Sequence, residues 1–317
     1  MRPRSKGGAG VIFNFFLGNH AADSLNSLGD LVEPIYRGLE ANGHHVIAFG
    51  TGMRDPPAIN VFVEFFEDDA VANAILSAKA QHGERFLFGI VCTEDIEDAL
   101  VMDPGKYPRR RANLMRLLPQ ADFVWTLLPV AAYEGIAGPR KVGLLEYGFS
   151  EACADPFPIQ DRGLRHVDVI IYGNHNPYRA QIGDALQRQG LTVFFGHRET
   201  FPTFVSDDII RRAKVLIDIR RGPGVRFLSP TRIVKGLHLG TAVVSEQFDT
   251  SPIANLYRYT LACPYEQLVE RTVELVRSGM FLNIANASRQ RFKAETSMAA
   301  NMKRLLELPA VAKLGVA

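Results

Sequence analysis

Three basic side chains in the second half of the chain have the types and spacing of an anion-binding site. Arg179 ends a segment that begins at Tyr172, and the glycine, asparagine and proline residues in it predict a turn between a strand and a helix. Arg232 and Lys235 are three residues apart, so they share one face of a predicted helix. Guanidinium groups and helix N-termini commonly bind phosphate. The three cations predict a phosphate site if both segments face one cleft; the alternative is surface charge on two unrelated loops.

A second chemical candidate lies directly after the first predicted strand. Gly18-Asn19-His20 ends that strand, and Asp23 follows closely. Because the pKa of a free histidine is near neutrality, His20 could take a proton from an acceptor hydroxyl. His20 and Asp23 are therefore the predicted catalytic residues, and the alternative is a loop histidine without a role.

Other polar clusters favour structural roles. Glu67-Asp68-Asp69 could hold a divalent metal, but it begins an apolar-periodic helix and is typical of an N-cap with dipole-favoured acids. The run from Arg109 to Arg111 has no interleaved aromatic residues, which indicates a solvated helix face rather than a nucleic-acid surface. His238 lies inside a predicted helix, where a core or interdomain histidine is the simpler interpretation.

The sequence lacks the motifs of several large enzyme classes. Gly7, Gly8 and Gly10 precede the first strand, so they cannot form a dinucleotide phosphate turn. The chain contains no GxGxxG, Walker or GxSxG motif. Nicotinamide dehydrogenases, ATPases and α/β-hydrolases therefore lose their main support.

The composition is that of an ordinary globular protein. The 317 residues are 47% apolar and 22% charged, which excludes the disordered, collagenous and disulfide-scaffold classes. A net charge of +2 is too weak for a general nucleic-acid or acidic-membrane footprint. Cys92, Cys153 and Cys263 lack zinc-ligand spacing, and the apolar run 11–17 is too short to span a membrane. We expect a cytoplasmic protein with no metal, no cofactor and no nucleic-acid partner.

Strands that alternate with helices predict an α/β fold with parallel sheets covered on both faces. The predicted strands lie at 11–17, 45–49, 59–66, 86–92, 123–128, 142–147, 167–172, 192–195, 215–219 and 242–245. The predicted helices lie at 30–42, 69–81, 109–118, 179–189, 207–212 and 232–239, with a helical tail from 265. Two Rossmann-like, doubly wound domains facing across a cleft are therefore expected, with ligands at the carboxyl ends of the strands.

A cluster of proline and acidic residues divides the two predicted domains. It predicts a linker at 154–162, between an N-terminal Rossmann-like domain at 1–153 and a C-terminal Rossmann-like domain at 163–290. The remaining helical segment, 291–317, either caps the second domain or crosses back to the first.

The chain resembles the GT-B glycosyltransferases, most closely the CgeB-like group related to the spore maturation protein CgeB. Three stretches carry the resemblance: 121–156 at the end of the first domain, YGNHNPYR followed by the glycines up to 196, and the helix–glycine–strand segment 232–245. The match spans about 121–305, and the first 120 residues agree only in the order of strands and helices. The resemblance implies that the second domain binds a nucleotide sugar.

Site residues follow from the resemblance by position. It implies diphosphate contacts from Arg179 and Arg232, and a sugar or phosphate contact from the loop Glu246–Ser251. Many retaining GT-B enzymes have two glutamates eight positions apart, the second on the ribose hydroxyls, whereas this chain has Phe227 and Lys235 there. The complete set of predicted donor-binding residues is Gly173, Asn174, His175, Tyr178, Arg179, Ser229, Arg232, Lys235, Glu246, Thr250 and Ser251.

The predicted function is metal-independent transfer of a sugar from a nucleoside diphosphate to an unidentified carbohydrate, protein or small-molecule acceptor. If configuration is inverted, His20 is the candidate base; if it is retained, the leaving phosphate takes the proton and His20 orients the acceptor. Two alternatives stay open: a non-catalytic GT-B-like module that binds a nucleotide, a sugar or a protein, and a sugar-nucleotide epimerase. Homo-oligomer formation also stays open.

Overall fold

The structure is a computed structural model that describes residues 10–17, 22–64, 66–93, 105, 107–173, 175–196, 203–225, 229–248 and 254–315. Contacts between Cα atoms divide the chain into two compact units. The first comprises Met1–His20, Ile35–Glu146 and Ala299–Ala317, and the second comprises Ala21–Pro34 and Tyr147–Met298. The longer segment of the second unit begins at Tyr147, upstream of the predicted linker.

The first unit is built around a six-stranded parallel sheet with the order β2-β1-β3-β4-β5-β6. Its strands are β1 Ile12–Phe16, β2 His45–Gly50, β3 Ile59–Val63, β4 Leu87–Cys92, β5 Phe123–Thr126 and β6 Val142–Leu144. Its helices are α2 Asp69–His82, α3 Tyr107–Leu117, α4 Ala131–Ala137, α11 Met298–Leu306, which begins one residue before the unit boundary, and α12 Pro309–Ala312. Helix α1, Ala22–Ala41, contains Pro34 and has residues in both units.

Aromatic side chains fill the core of the first sheet. Phe123 and Trp125 on β5 are fully buried, with their ring centroids 4.5 Å apart. Gly89 is the register partner of Phe123, and a Cβ at Gly89 would lie 2.1 Å from that ring. The glycine therefore makes room for the phenylalanine across the strand pair. All five residues of β3 are buried, as expected of a parallel sheet covered on both faces.

The second unit contains a five-stranded parallel sheet with the order β11-β10-β9-β7-β8. Its strands are β7 Val167–Tyr172, β8 Val193–Gly196, β9 Ala213–Asp218, β10 Ala242–Glu246 and β11 Leu261–Cys263. Its helices are α5 Pro177–Arg188, α6 Thr203–Arg212, α7 Thr231–Leu239, α8 Ala254–Tyr257, α9 Leu268–Ser278 and α10 Phe281–Glu295.

Apolar side chains from alternate strand positions form the core of the second unit. Val215 and Ile217 on β9 pack in one cluster with Ile182 and Leu186 of α5. On helix α7, Gly236 allows close packing on the sheet, since a Cβ there would lie 2.6 Å from a methyl group of Val243. These contacts fix α5 and α7 relative to the strand ends, where the predicted site residues lie.

The two sheets confirm the predicted α/β class and most of the predicted elements. Strand β11 and helix α4 were not predicted, because three and seven residues are too few to show a clear period. Helix α1 begins at Ala22, whereas the periodicity of Leu31, Ile35 and Leu39 predicts a helix only from Asp30. No helix within the described ranges is long and apolar enough to cross a membrane.

Candidate functional site

The connections of the second sheet place one gap between strands where a ligand is expected. From β7 the chain goes to β8 on one side and then to β9 on the other, so the strand order reverses between β7 and β9. Ligands of open parallel sheets bind beyond the carboxyl ends of the strands at such a point. Gly173 follows β7 and Ile219 follows β9, and both lie at this edge.

Two of the predicted cations meet at this edge. Helix α5 begins with the N-cap Asn176, whose side chain accepts a hydrogen bond of 3.0 Å from the backbone N–H of Arg179. The Arg179 guanidinium donates to the Ile219 carbonyl from Nε at 3.1 Å and from Nη2 at 2.7 Å. Arg232, in the first turn of α7, donates from Nη2 to the same carbonyl at 3.3 Å. One carbonyl oxygen thus binds both guanidinium groups, and both arginines are buried.

Asp218 supplies the carboxylate of this arginine cluster. It is the last residue of β9, is fully buried, and accepts a hydrogen bond from Nε of Arg232. Burial raises the pKa of Asp218, although the charges of Arg232 and Arg179 act to lower it. Two guanidinium groups therefore face one carboxyl group, so the cluster carries excess positive charge among the residues described here.

Gly173 allows the backbone after β7 to pass close to both arginines. Its φ is +112°, a conformation that favours glycine. A Cβ at this position would lie 2.9 Å from Nη1 of Arg179 and 3.5 Å from Nη1 of Arg232. A side chain at residue 173 would therefore displace the guanidinium group of Arg179.

A second cluster lies beside the first, around the fully buried Glu246 at the end of β10. Its carboxylate accepts hydrogen bonds from the Tyr178 hydroxyl at 2.8 Å, from the Arg220 backbone N–H at 2.9 Å and from Arg220 Nε at 2.7 Å. Burial and the nearby Glu246 raise the pKa of Tyr178. The Tyr178 ring stacks on Tyr265 with centroids 4.1 Å apart, and the Arg220 guanidinium lies 4.3 Å from the ring centroid of Phe248.

Arg220 was missed by the sequence reasoning. Its signal is the segment Arg220-Arg221-Gly222-Pro223-Gly224, which places a cation and a glycine turn directly after β9. Arg220 links the two clusters, because it lies two residues after Asp218 in the chain and pairs with Glu246.

Lys235 had been grouped with the two arginines, but its ammonium group lies in a different cluster. Nζ is 2.8 Å from Asp30, 2.7 Å from Asp207 and 3.1 Å from the hydroxyl of Ser206. Asp30 and Ser206 accept hydrogen bonds from the ammonium group, and Asp207 forms an ion pair with it. Nζ also lies 5.3 Å from the centroid of the Tyr172 ring. Burial would lower the pKa of Lys235, but Asp30, Tyr172 and Asp207 outweigh it and raise the pKa.

The remaining predicted residues have the following positions. The His175 ring packs edge-on against Phe195 at 4.8 Å, and the Ser229 hydroxyl lies 2.9 Å from that of Thr231. The predicted residues that lie outside the described part of the chain are His20, Asn174, Phe227, Thr250, Ser251 and the side chain of Asp23.

The polar residues assigned structural roles have partners that explain them. Asp68 is the N-cap of α2 and accepts a hydrogen bond of 2.8 Å from the Ala70 N–H. His238 is buried, and its Nε2 accepts a hydrogen bond of 2.9 Å from the Ser150 N–H. Burial, with a smaller effect of Arg289, lowers the pKa of His238 to about 3. The described residues contain no group of three or more histidine, cysteine, aspartate or glutamate side chains that could hold a metal ion.

Comparison with known proteins finds solved structures with a similar fold. No protein-family model and no curated protein matches the sequence. The N-terminal domain of trehalose-6-phosphate phosphatase from Candida albicans superposes with a TM-score of 0.54 at 7% identity, covering 98% of this chain and 99% of that chain. The α,α-trehalose 6-phosphate synthase of Burkholderia multivorans gives 0.51 at 11% identity, covering 83% and 73%. TarM gives 0.51 at 9% identity, covering 79% of this chain and 54% of that one, so the match extends over about half of TarM.

The chain has the GT-B fold. This confirms the predicted architecture of two Rossmann-like, doubly wound domains. The predicted membership of the CgeB-like group stays a prediction. In this GT-B fold, the arginine and Glu246 clusters both lie at the carboxyl edge of the second sheet.

Proposed function

We propose that the chain binds a nucleoside diphosphate sugar at the carboxyl edge of its second sheet and transfers the sugar to an acceptor hydroxyl. The observation that carries the proposal is the convergence of Arg179 and Arg232 on one carbonyl where the strand order reverses. The excess positive charge of this cluster suits a diphosphate, and bidentate guanidinium groups bind phosphate oxygens well.

The proposed reaction exchanges one bond for another at the anomeric carbon. The bond from that carbon to the diphosphate oxygen breaks, and a bond to the acceptor oxygen forms. Arg179 and Arg232 stabilise the negative charge that develops on the leaving diphosphate, which is the part of the transition state that gains most charge. The acceptor proton goes to His20 or to the leaving phosphate. Metal independence and a cytoplasmic location belong to the proposal, and the acceptor is not assigned.

The Glu246 cluster shapes the neighbouring part of the proposed site. Its carboxylate is already held by Tyr178 and Arg220, so it acts here by fixing those two side chains. The stacked rings of Tyr178 and Tyr265 then form a rigid wall beside the arginine cluster. We assign Tyr178 and Arg220 to donor binding through this arrangement.

The test is a ligand screen followed by an activity assay. Thermal shift with UDP, GDP, dTDP, CMP and their sugars should raise the Tm for one nucleotide family, because a ligand of the folded state stabilises it. The sugar nucleotide that binds is then incubated with the protein, and release of the nucleoside diphosphate is measured. An absence of stabilisation by every nucleotide would contradict the proposal.

A non-catalytic binding module is the second candidate, and the position of Lys235 favours it. Where many retaining GT-B enzymes have a ribose-binding glutamate, this chain has an ammonium group bound to Asp30 and Asp207. One structure similar to this chain is part of a phosphatase by its name, so the fold is not restricted to proteins named as transferases. Nucleotide binding without hydrolysis or transfer of any sugar nucleotide would support this candidate.

A further inference from the structure

One oxygen of the Asp218 carboxyl group has no hydrogen-bond partner within the described part of the chain. Oδ1 pairs with Arg232, whereas Oδ2 is buried without a donor. A buried oxygen of an ionised carboxylate that lacks a donor is costly, and protonation removes that cost. Asp218 therefore has one oxygen that is suited to bear a proton.

The neighbouring strand offers an acceptor for such a proton. Ser245 on β10 is the register partner of Asp218, is fully buried, and its hydroxyl also has no partner among the described residues. Side chains at paired positions of adjacent strands lie on the same face of the sheet. A protonated Oδ2 is a donor and a serine hydroxyl accepts, so a hydrogen bond between them would satisfy both groups.

The groups that face Asp218 have opposing effects on its ionisation. Arg232 on α7 and Arg179 on α5 favour the ionised form, while burial and Glu246 on β10 favour the neutral form. On β7 the nearest titratable side chain is Tyr172, whose hydroxyl is already hydrogen-bonded. An anion bound by the two arginines would add negative charge beside Asp218 and use the guanidinium groups that stabilise its carboxylate. Both effects raise the pKa of Asp218.

We propose that binding of a phosphate-type anion by Arg179 and Arg232 is coupled to the uptake of one proton from solvent by Asp218. The inference rests on the proposed function only in assigning anion binding to these two arginines. In the ligand-free protein Asp218 balances part of their charge. In the bound state the neutral carboxyl group leaves both guanidinium groups to the anion, and its O–H donates to Ser245.

The experiment measures proton uptake directly with inorganic pyrophosphate, which needs no knowledge of the nucleobase. Titration calorimetry of the full chain in paired buffers of different ionisation enthalpy gives the number of protons taken up on binding. Asp218→Asn keeps the size of the side chain and cannot ionise. Asp208→Asn removes an exposed carboxylate on helix α6, outside the arginine cluster, and is the matched control. Protons bound by pyrophosphate itself are common to all three proteins and cancel in the comparison.

We expect the parent and Asp208→Asn to take up more protons than Asp218→Asn, by a difference approaching one. As the pH rises between about pH 5 and pH 9, the affinity of the parent should fall by up to about tenfold per pH unit more than that of Asp218→Asn. Equal proton uptake in the parent and Asp218→Asn would overturn the coupling while leaving anion binding intact. If none of the three proteins bound pyrophosphate, both the coupling and the arginine site would fail.

The parent alone supplies a second measurement if Asp218→Asn does not fold. Its proton uptake, corrected for that of free pyrophosphate titrated in the same buffers, should be above zero in part of the range from about pH 5 to pH 9. A corrected value of zero at every pH would overturn the coupling.

Discussion

The carboxyl edges of the two sheets differ in charge although both sheets are parallel and doubly wound. In the first unit, the buried Glu64 follows β3 and accepts hydrogen bonds from the backbone N–H and from the hydroxyl of Thr93, the latter at 2.6 Å. In the second unit, Arg179 and Arg232 converge at the corresponding edge and share one carbonyl. In the first unit one oxygen of the buried acid accepts hydrogen bonds from a backbone amide and a hydroxyl, whereas in the arginine cluster two buried guanidinium groups face one carboxyl group.

This difference shows that fold alone does not assign function to an edge. The same order of strands and helices produces a carboxyl edge in each unit, and the residues after the strands decide what each edge can bind. Buried cations in excess of carboxylates attract an anion, so the second sheet is the expected donor side. The substitutions below test this contrast, beginning with the largest expected effect.

Lys235→Ala should destabilise the second unit most. It leaves the carboxylates of Asp30 and Asp207 without their shared cation, and removal of one partner from a buried ion pair costs about 3–5 kcal/mol. Lys293→Ala is the control, because its pair with Glu151 is exposed and its loss should cost about 1 kcal/mol or less. Urea unfolding measures both. Equal losses for the two variants would contradict the buried-cluster assignment.

Asn60→Ala should destabilise the first unit without affecting nucleotide binding. The Asn60 side chain accepts from Asn14 at 2.9 Å and from the Arg54 N–H at 2.8 Å, and it donates to the Arg54 carbonyl at 3.0 Å. Unpaired buried polar groups cost about 1–3 kcal/mol each. A clear loss of nucleotide affinity in the folded variant would contradict the assignment of the donor site to the second unit.

His238 should make the second unit less stable as the pH falls. Its pKa is lowered to about 3 in the folded protein, so the imidazole stays neutral there but gains a proton on unfolding below pH ~6.5. The contribution of neutral His238 to the free energy of unfolding is almost fully present above that pH. It decreases towards pH 3, with a loss of about 2 kcal/mol at pH ~5. Unfolding free energies of the parent and of His238→Gln at pH ~7 and pH ~5 measure the effect. An unchanged pH dependence in the variant would contradict it.

Gly173→Ala should weaken anion binding as well as stability, whereas Gly190→Ala should affect stability alone. Both glycines have positive φ, +112° and +82°, so each alanine costs about 1–2 kcal/mol in backbone strain. Only at Gly173 does the added Cβ meet a guanidinium group, that of Arg179 at 2.9 Å. Thermal unfolding and a nucleotide titration of both variants separate the two effects. Equal affinities would show that the turn after β7 does not shape the site.

Local sequence signals predicted the sheets well. The strand Val167–Tyr172 appears in the structure with its predicted bounds, because an apolar run between turn residues is a local property of the chain. The sequence also grouped Arg179 with Arg232, and both guanidinium groups donate to the Ile219 carbonyl. The order of the strands made these two segments neighbours.

The partners of the buried charges could not be predicted. Lys235 has the spacing of a phosphate-binding residue, but Asp30, 205 residues away in the sequence, is one of its partners. Such long-range pairing depends on how α1 and α7 pack, which no local pattern shows. The role of Arg220 was accessible from the glycine-rich turn after β9, whereas its pairing with Glu246 depends on the neighbouring strand.

Arg179 and Arg232 are proposed to bind the diphosphate of a nucleotide. The most direct test of this proposal is titration calorimetry of the best nucleoside diphosphate from the screen with the parent, Arg179→Gln, Arg232→Gln and the exposed-site control Arg188→Gln. A hydrogen bond to a charged group contributes about 1.5–3 kcal/mol, so each site variant should bind roughly ten to a hundred times more weakly while Arg188→Gln binds like the parent. Parent-like affinity in folded Arg179→Gln and Arg232→Gln would contradict the account.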